Sequence, residues 1–383
     1  MPREAVRPLR FLYATVFLTS TGFGAATFLL PVFAEELGAS YVAFGVIGTV
    51  GSAAYMAMTL VSGALLDRFD RVRLYLAFSV LGAATVLLFR IAAGVGDLVV
   101  LRGLLGVVSA MFFVTASTLV ADASPPGALT RSIGRYNLSW IAGFIAGPFL
   151  GGLISDALGF PALFAILAAL IAGSVAIIRA GLIPRGKPSD GPARRGFDLT
   201  ALRGLYAAYL IILPYSVILG IYMAILPGQM RMLGITPSII GLLLTMTNGV
   251  RGLGFLSVER FIDWGERRSL GLASCLMGAA LLAVAFSRST SDFIAPLAMF
   301  GLSGGILTPL VQDNIARRSP RHALGTAMGV HESVYGVGMC VGPVVGGAVA
   351  EAFQPATLYL GLAALALLIL PLSRGLQGAA AHE

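Results

Sequence analysis

The chain has 383 residues, of which 57% are hydrophobic and only 11% charged, a balance far outside that of a water-soluble globular protein. A net charge of +8 would suggest nucleic acid in a soluble chain, but here the basic residues follow a positional pattern that topology explains without such a partner. Two cysteines and three histidines leave no disulfide framework or metal cluster to expect, and Cys275 and Cys340 each fall in an apolar stretch, where cysteine serves as a small core residue.

In chain order, apolar runs of spanning length occupy roughly 11–33, 41–66, 74–94, 98–121, 132–156 and 160–182, then 205–229, 237–258, 269–287, 293–316, 324–350 and 356–373. The predicted fold is therefore an all-α integral membrane protein of twelve transmembrane helices in two six-helix bundles, 1–182 and 205–383. The first run follows Arg3, Arg7 and Arg10, but it is too long for a signal peptide and has no clear small-residue cleavage site. Between the bundles, residues 183–204 carry Pro184, Pro188, Pro192 and five basic residues, which reads as a flexible linker. Ser124-Pro125 and Ser319-Pro320 each precede a run, and are expected to start its helix with a capping serine and a proline in the first turn.

Most of the 26 basic residues fall at the ends of the chain or in alternate loops, including Arg68, Arg71, Arg73, Arg131, Arg185, Lys187, Arg267, Arg268, Arg317 and Arg321. The opposite loops hold Glu35, Glu36, Asp156 and Glu351 against Arg231 and Arg288. The positive-inside rule then puts both termini and the linker in the cytoplasm, and the chain in the cell's inner membrane as a multi-pass protein.

One pattern occurs twice. Gly143, Gly147, Pro148, Gly151 and Gly152 spell GxxxGPxxGG, and Gly338, Gly342, Pro343, Gly346 and Gly347 repeat it 195 positions later. The match continues upstream, from Ser124, Pro125, Ala128, Leu129 and Gly134 to Ser319, Pro320, Ala323, Leu324 and Gly329, so the two bundles are a pseudo-symmetric duplication. Such glycines let a neighbouring helix approach closely, and the proline removes a backbone donor and favours a bend. Two membrane-spanning repeats are the construction of a transporter that rocks one half against the other.

Ionised side chains in hydrocarbon cost several kcal/mol and are functional candidates by default. Here they are Arg90, Arg102, Arg251, Asp313 and Glu332, with His331 beside the last. Glu332 is the first choice as proton carrier, since burial raises a carboxyl pKa and a neighbouring arginine such as Arg251 lowers it. A fixed ion pair or a solvated carboxylate remains an equal reading of the same residue.

Several motifs resemble the major facilitator superfamily. GALLDRFDRVR, with Gly63, Asp67, Arg68, Arg71 and Arg73, is similar to that family's GxxxDRxGRR loop signature, with Asp70 where glycine is usual. A degraded second copy holds Gly254, Glu259, Arg260, Gly265, Arg267 and Arg268; Arg102 and Gly106 resemble the family's RxxxG element; GxxxGPxxGG resembles the antiporter motif of drug and metabolite exporters, as does FLLPVFAEELGAS with Pro31. The resemblance implies a secondary transporter exporting a small amphipathic or hydrophobic compound by alternating access, in exchange for protons, with coupling through Glu332, Arg251, Arg102 and Asp313. It implies an inner charge cluster of Asp67, Arg68, Arg71 and Asp122 that gates the cytoplasmic side. It also implies a cavity lined by helices 1, 4, 7 and 10, with Thr19, Tyr215, Tyr222, Gln229, Thr308 and Gln312 at the substrate. Against proton coupling, the first run holds no acid between Phe11 and Phe33, where many proton-coupled relatives have one. The alternatives are an organic-anion or metabolite carrier, suggested by Arg90, Arg102 and Arg251 outnumbering membrane acids, and a non-transporting membrane protein on the same fold. No cofactor, metal, nucleic-acid partner or enzymatic activity is expected, and the chain is expected to act as a monomer in the lipid bilayer.

Overall fold

A computed structural model describes residues 3–125, 127–181, 204–320 and 323–376. Twelve helices are long and apolar enough to cross a membrane: α1 (Pro8–Glu36), α2 (Tyr41–Arg68), α3 (Arg71–Ile91), α4 (Val95–Ala123), α5 (Arg131–Leu158), α6 (Phe160–Gly181), α7 (Tyr206–Met232), α8 (Pro237–Leu256), α9 (Glu266–Phe286), α10 (Thr290–Arg318), α11 (Thr326–Ala352) and α12 (Pro355–Leu372). Among the described residues there is no strand. The expected 183–204 linker lies, but for Gly204, outside them.

The boundary between α3 and α4 is set by Asp97, whose Oδ2 accepts from the amides of Ala93 at 2.8 Å and Gly94 at 3.2 Å. In the second repeat Asp292 does the same for Arg288 at 3.0 Å and Ser289 at 2.8 Å, and opens α10. A carboxylate there satisfies orphan amides of the first turn and complements the helix dipole. The serine-proline pairs behave otherwise than expected. Ser124 and Ser319 close α4 and α10, each hydroxyl donating 2.6 Å to the carbonyl four residues back, Val120 and Ile315. The proline that follows drives its predecessor out of the α region, with ψ near 130° at both serines, so the pair ends one helix rather than starting the next. Turns from Pro125 to Ala128 and Pro320 to Ala323 then lead into the following helices.

Two compact units emerge, and each sequence half lends the other one segment: unit 1 takes Thr236–Thr245 from the start of α8, and unit 2 takes Ser40–Thr49 from the start of α2. In unit 1, three motif glycines of α5 face α1. A Cβ on Gly143 would come within 2.8 Å of the Phe17 carbonyl oxygen, one on Gly147 within 2.5 Å of that of Thr21, and one on Gly151 within 3.0 Å of the Ala25 side chain. The fourth, Gly152, faces the Pro237 carbonyl of α8. In unit 2, Gly338, Gly342 and Gly346 face Ser216, Val217 and Ile221 of α7, and Gly347 faces the Tyr41 carbonyl of α2. Backbone therefore rests on backbone along both motif helices, which maximises dispersion contact where lipid provides no hydrophobic drive.

The borrowed segments are held by matched bonds. Thr245 donates 2.7 Å to the Ile145 carbonyl and Thr49 donates 2.6 Å to that of Cys340. Asp156 Oδ2 accepts from the Ser238 amide at 2.9 Å, and Glu351 Oε2 from the Tyr41 amide at 2.9 Å. Gly241 lies on the Pro148 carbonyl as Gly45 lies on that of Pro343. Tyr13 donates to the Ser132 carbonyl at 3.2 Å, and Tyr209 to the Ala327 carbonyl at 3.1 Å. The duplication read in the sequence is thus a duplication of contacts.

Candidate functional site

In unit 1 the polar groups of α1 are mostly used in packing. Thr19 is fully buried and donates to Ser174 Oγ on α6 at 3.0 Å, and Thr15 pairs with the Tyr75 hydroxyl on α3 at 2.9 Å. Arg102 on α4 lies against α2 where Gly51 has no side chain: a Cβ there would come within 2.5 Å of the guanidinium carbon. Gly106, one turn along α4, meets the Gly51 carbonyl, so the RxxxG pair places the arginine and lets α4 approach α2. Arg102 enters no ion pair with the described residues. Arg90 is exposed in the 3-10 turn Phe89–Ile91.

At the other end of unit 1, Arg71 pairs with Asp122 at 2.5 Å, joining the start of α3 to the end of α4. Asp67 and Arg68 are exposed at the end of α2 and enter no such pair with described residues, and Gly63 is one turn earlier on the same helix. Asp70, the departure from the family signature, is extended and caps α3 by accepting from the Arg73 amide at 2.8 Å. The backbone there is ordinary extended conformation, so no glycine is needed, and the carboxylate supplies a helix cap instead.

Unit 2 carries the densest polar cluster. Glycines at the crossing of α8 and α10 create it: Gly301 lies on the Thr247 carbonyl, and Gly305 on the Arg251 carbonyl and on Gly254. Arg251 projects from that contact with its guanidinium carbon 5.4 Å from the Phe255 ring centroid and 6.0 Å from that of Tyr215. It donates to the Tyr335 hydroxyl of α11. Its Nε is sealed from solvent without a partner, as are the hydroxyls of Tyr215 and Thr308. The Tyr215 hydroxyl sits over Gly304, where any side chain on α10 would meet it. Tyr222 stacks on Phe300 with ring centroids 4.5 Å apart, and these two rings also line an apolar crevice with Ile218, Leu226, Leu281 and Leu297.

The other expected residues of this unit are spread around the cluster. Gln229, in the short last segment of α7 beyond the break at Ile225, accepts from the buried Tyr359 hydroxyl of α12 at 2.7 Å. Gln312 is half-buried one turn past Thr308, and Asp313 pairs with Arg317 on its own helix at 2.5 Å. Glu332 has a 67% exposed side chain and bonds Nδ1 of the buried His331 at 3.1 Å. It is not ion-paired with Arg251. Tyr335, Phe255 and Phe300 were not expected from the sequence. Tyr335 stands one helical turn from His331 and Glu332, a spacing that puts a hydroxyl on the same face.

These observations define a polytopic α-helical membrane protein made of two six-span repeats, with buried aromatic and half-buried isolated cationic residues within each. The chain belongs to the Major Facilitator Superfamily, whose family model matches residues 12–211 and again 208–377. It is similar to the multidrug resistance protein MdtG of Salmonella typhi and of Salmonella choleraesuis (strain SC-B67), at 26% identity over 369 residues, covering 92% of this chain and 91% of each relative. Among solved structures it resembles the nucleoside transporter NupG, with TM-score 0.78, 14% identity and coverage of 97% and 99%. A bacterial homologue of the human lysosomal transporter Spinster, in an inward-facing unoccupied conformation, gives TM-score 0.74 at 15% identity, covering 98% and 95%. At those identities the likeness to solved structures is one of fold.

Proposed function

We propose that the chain is a secondary transporter that exports small amphipathic or hydrophobic compounds by alternating access, in exchange for protons, from the inner membrane with both termini cytoplasmic. The observation that carries the efflux reading is the end-to-end similarity to multidrug resistance proteins named MdtG. The local chemistry agrees with it: aromatic surface from Tyr215, Tyr222 and Phe300, with few polar groups, suits ligands recognised by apolar bulk and one or two directional contacts. Gln312 and Thr308 offer further contacts on α10, and Gln229 and Thr19 act through the partners they already hold.

Glu332 carries the coupled proton in this reading, because it is an accessible carboxylate on α11 next to a buried imidazole that can share its charge. Tyr335, one turn along α11 from Glu332, accepts from Arg251 and is the group by which the proposed proton site and the guanidinium would communicate. Arg102 and Asp313 complete the coupling set. Asp67, Arg68, Arg71 and Asp122 gate the cytoplasmic side, and the chain acts as a monomer without a cofactor or enzymatic activity.

The test is flux into proteoliposomes under an imposed pH gradient, with a panel of cationic, neutral and anionic amphipaths. Accumulation against a substrate gradient that collapses with the pH gradient is the expected result. Flux unaffected by the gradient would remove proton coupling, and flux equal to that of empty liposomes for the whole panel would remove the transport reading.

A further inference from the structure

We propose that Arg251 is an anion receptor: the compound this protein binds carries an acidic group, a carboxylate by preference, beside an apolar body. The proposal rests on the transport reading and gives its substrate a class.

The guanidinium of arginine does not deprotonate in proteins, so Arg251 brings a permanent charge into unit 2, on a half-buried side chain whose Nε is sealed from solvent. A buried charge is costly unless it is paired. Here the compensation is incomplete. Two ring faces and the Tyr335 hydroxyl contact the group, Nε has no partner, and no described carboxylate forms an ion pair with it. The nearest acid in sequence along α11, Glu332, is turned to His331.

Packing does not require an arginine at this place, and the duplicated scaffold shows why. The pairs Gly45 and Gly241, and Thr49 and Thr245, make equivalent contacts on the two motif helices, so α2 and α8 correspond position by position. Continuing that register, Gly51 corresponds to Thr247: the first meets Gly106 through its carbonyl as the second meets Gly301. Arg251 then corresponds to Tyr55. At this position the first repeat has the neutral Tyr55 and the second a cation, the first repeat's own arginine at the crossing, Arg102, coming instead from α4 against Gly51. The charge is an addition to the scaffold, and an added unpaired charge calls for a ligand of opposite sign.

The surrounding groups specify that ligand further. With its carbon over the Phe255 and Tyr215 rings and its Nε unpartnered, the guanidinium can take a carboxylate across Nε and one terminal nitrogen in a planar fork. The Tyr215 and Thr308 hydroxyls, both buried without partners, can donate to the remaining lone pairs. Tyr222 and Phe300, stacked on one another, provide aromatic surface for an apolar body. A cationic amphipath would meet the same aromatic surface but oppose the guanidinium.

The experiment measures equilibrium binding of 2-naphthoate, its neutral amide and 2-naphthylmethylammonium to the detergent-purified full chain. Wild type should bind the carboxylate at least tenfold more tightly than the amide, and the ammonium most weakly. Arg251→Gln should bring the carboxylate down to the level of the amide, and Arg251→Lys should retain part of the preference. Tyr215→Phe should weaken the carboxylate while leaving the amide unchanged, which keeps the test valid if Arg251→Gln fails to fold. Without ligand, Arg251→Gln should unfold at the wild-type temperature or above, since no carboxylate is left unpaired. Preference for the ammonium, or an unaltered carboxylate preference in Arg251→Gln and Tyr215→Phe, would overturn the proposal. So would full displacement of naphthoate by phosphatidylglycerol, which would assign the site to a lipid headgroup. Flux in the same preparations separates the two readings. Transport of neutral or cationic compounds with no Arg251-dependent anion binding overturns the receptor alone, whereas Arg251-dependent binding with no flux of any compound upholds the receptor and overturns transport.

Discussion

Replacing Gly147 by alanine puts a methyl group where α1 and α5 touch through their backbones. The added carbon would lie 2.5 Å from the Thr21 carbonyl oxygen and 2.7 Å from the Ala25 amide nitrogen, well inside ordinary contact. Neither atom can rotate away, so the helices must separate locally by roughly 1 Å and give up contacts on either side. Overpacking of this kind costs about 1–3 kcal/mol. Alanine returns about 1 kcal/mol of helix propensity, so the net loss should be up to about 2 kcal/mol. Gly342→Ala should behave alike, since its methyl would meet the Val217 carbonyl oxygen at 2.6 Å. Gly134→Ala on the same helix as Gly147 has nothing within 4 Å and should be neutral or stabilising. Unfolding free energies of the three purified variants in one detergent are the measurement. Equal stability of Gly147→Ala and Gly134→Ala would refute the claim that the motif glycines serve close approach.

Asp122→Asn removes the partner of Arg71; with side chains 25% and 42% exposed, the pair should contribute less than about 1 kcal/mol to stability. The same change should shift the population toward inward-open, and spin-label distances between the cytoplasmic ends of α4 and α10 that match wild type would dismiss that role. Glu332→Gln should abolish gradient-driven accumulation while retaining substrate binding, because it removes titration and preserves shape; wild-type accumulation with wild-type pH dependence would make Asp313 the next carboxylate to test. With Cys275 and Cys340 replaced by serine, a cysteine at Ser189 should resist an impermeant reagent on intact cells and react in inverted vesicles; labelling from outside would reverse the assigned topology.

The spans were legible because membrane hydropathy is a sum over about 20 residues and tolerates local irregularity. All twelve are present, and their ends moved by only a few residues. The repeat was legible because glycine and proline at fixed spacing are few enough to stand out. What escaped depended on single hydrogen bonds. Asp97 and Asp292 are unmarked in the sequence by any motif, yet each sets where a helix begins. Ser124 and Ser319 read as helix starts, but a serine before a proline satisfies either the helix behind or the one ahead, and only the backbone angle decides. Tyr335 was missed because an aromatic in an apolar helix carries no charge to mark it, although it is the hydroxyl that meets Arg251.

The duplication also separates what the scaffold requires from what was added to it. Contacts that recur in both repeats, such as the carboxylates of Asp156 and Glu351 on the amides of α8 and α2, hold helices together irrespective of which half they are in. Contacts that do not recur are free of that demand. By the same register Tyr215 corresponds to Thr19, Arg251 to Tyr55, Tyr335 to Trp140 and Thr308 to Phe113. In the first repeat this set is closed: Thr19 bonds Ser174, and Trp140 stacks on Phe144 at 5.4 Å. In the second it is open, with hydroxyls and a guanidinium edge lacking partners. Packing energy is satisfied twice by one design; both repeats keep buried polar atoms without partners, Ser20 and Thr115 hydroxyls in the first and Tyr215 and Thr308 hydroxyls with Arg251 Nε in the second, but only in the second do they gather around a cation. That clustering, rather than the mere presence of unpartnered groups, is the ground on which the proposed ligand is assigned to unit 2.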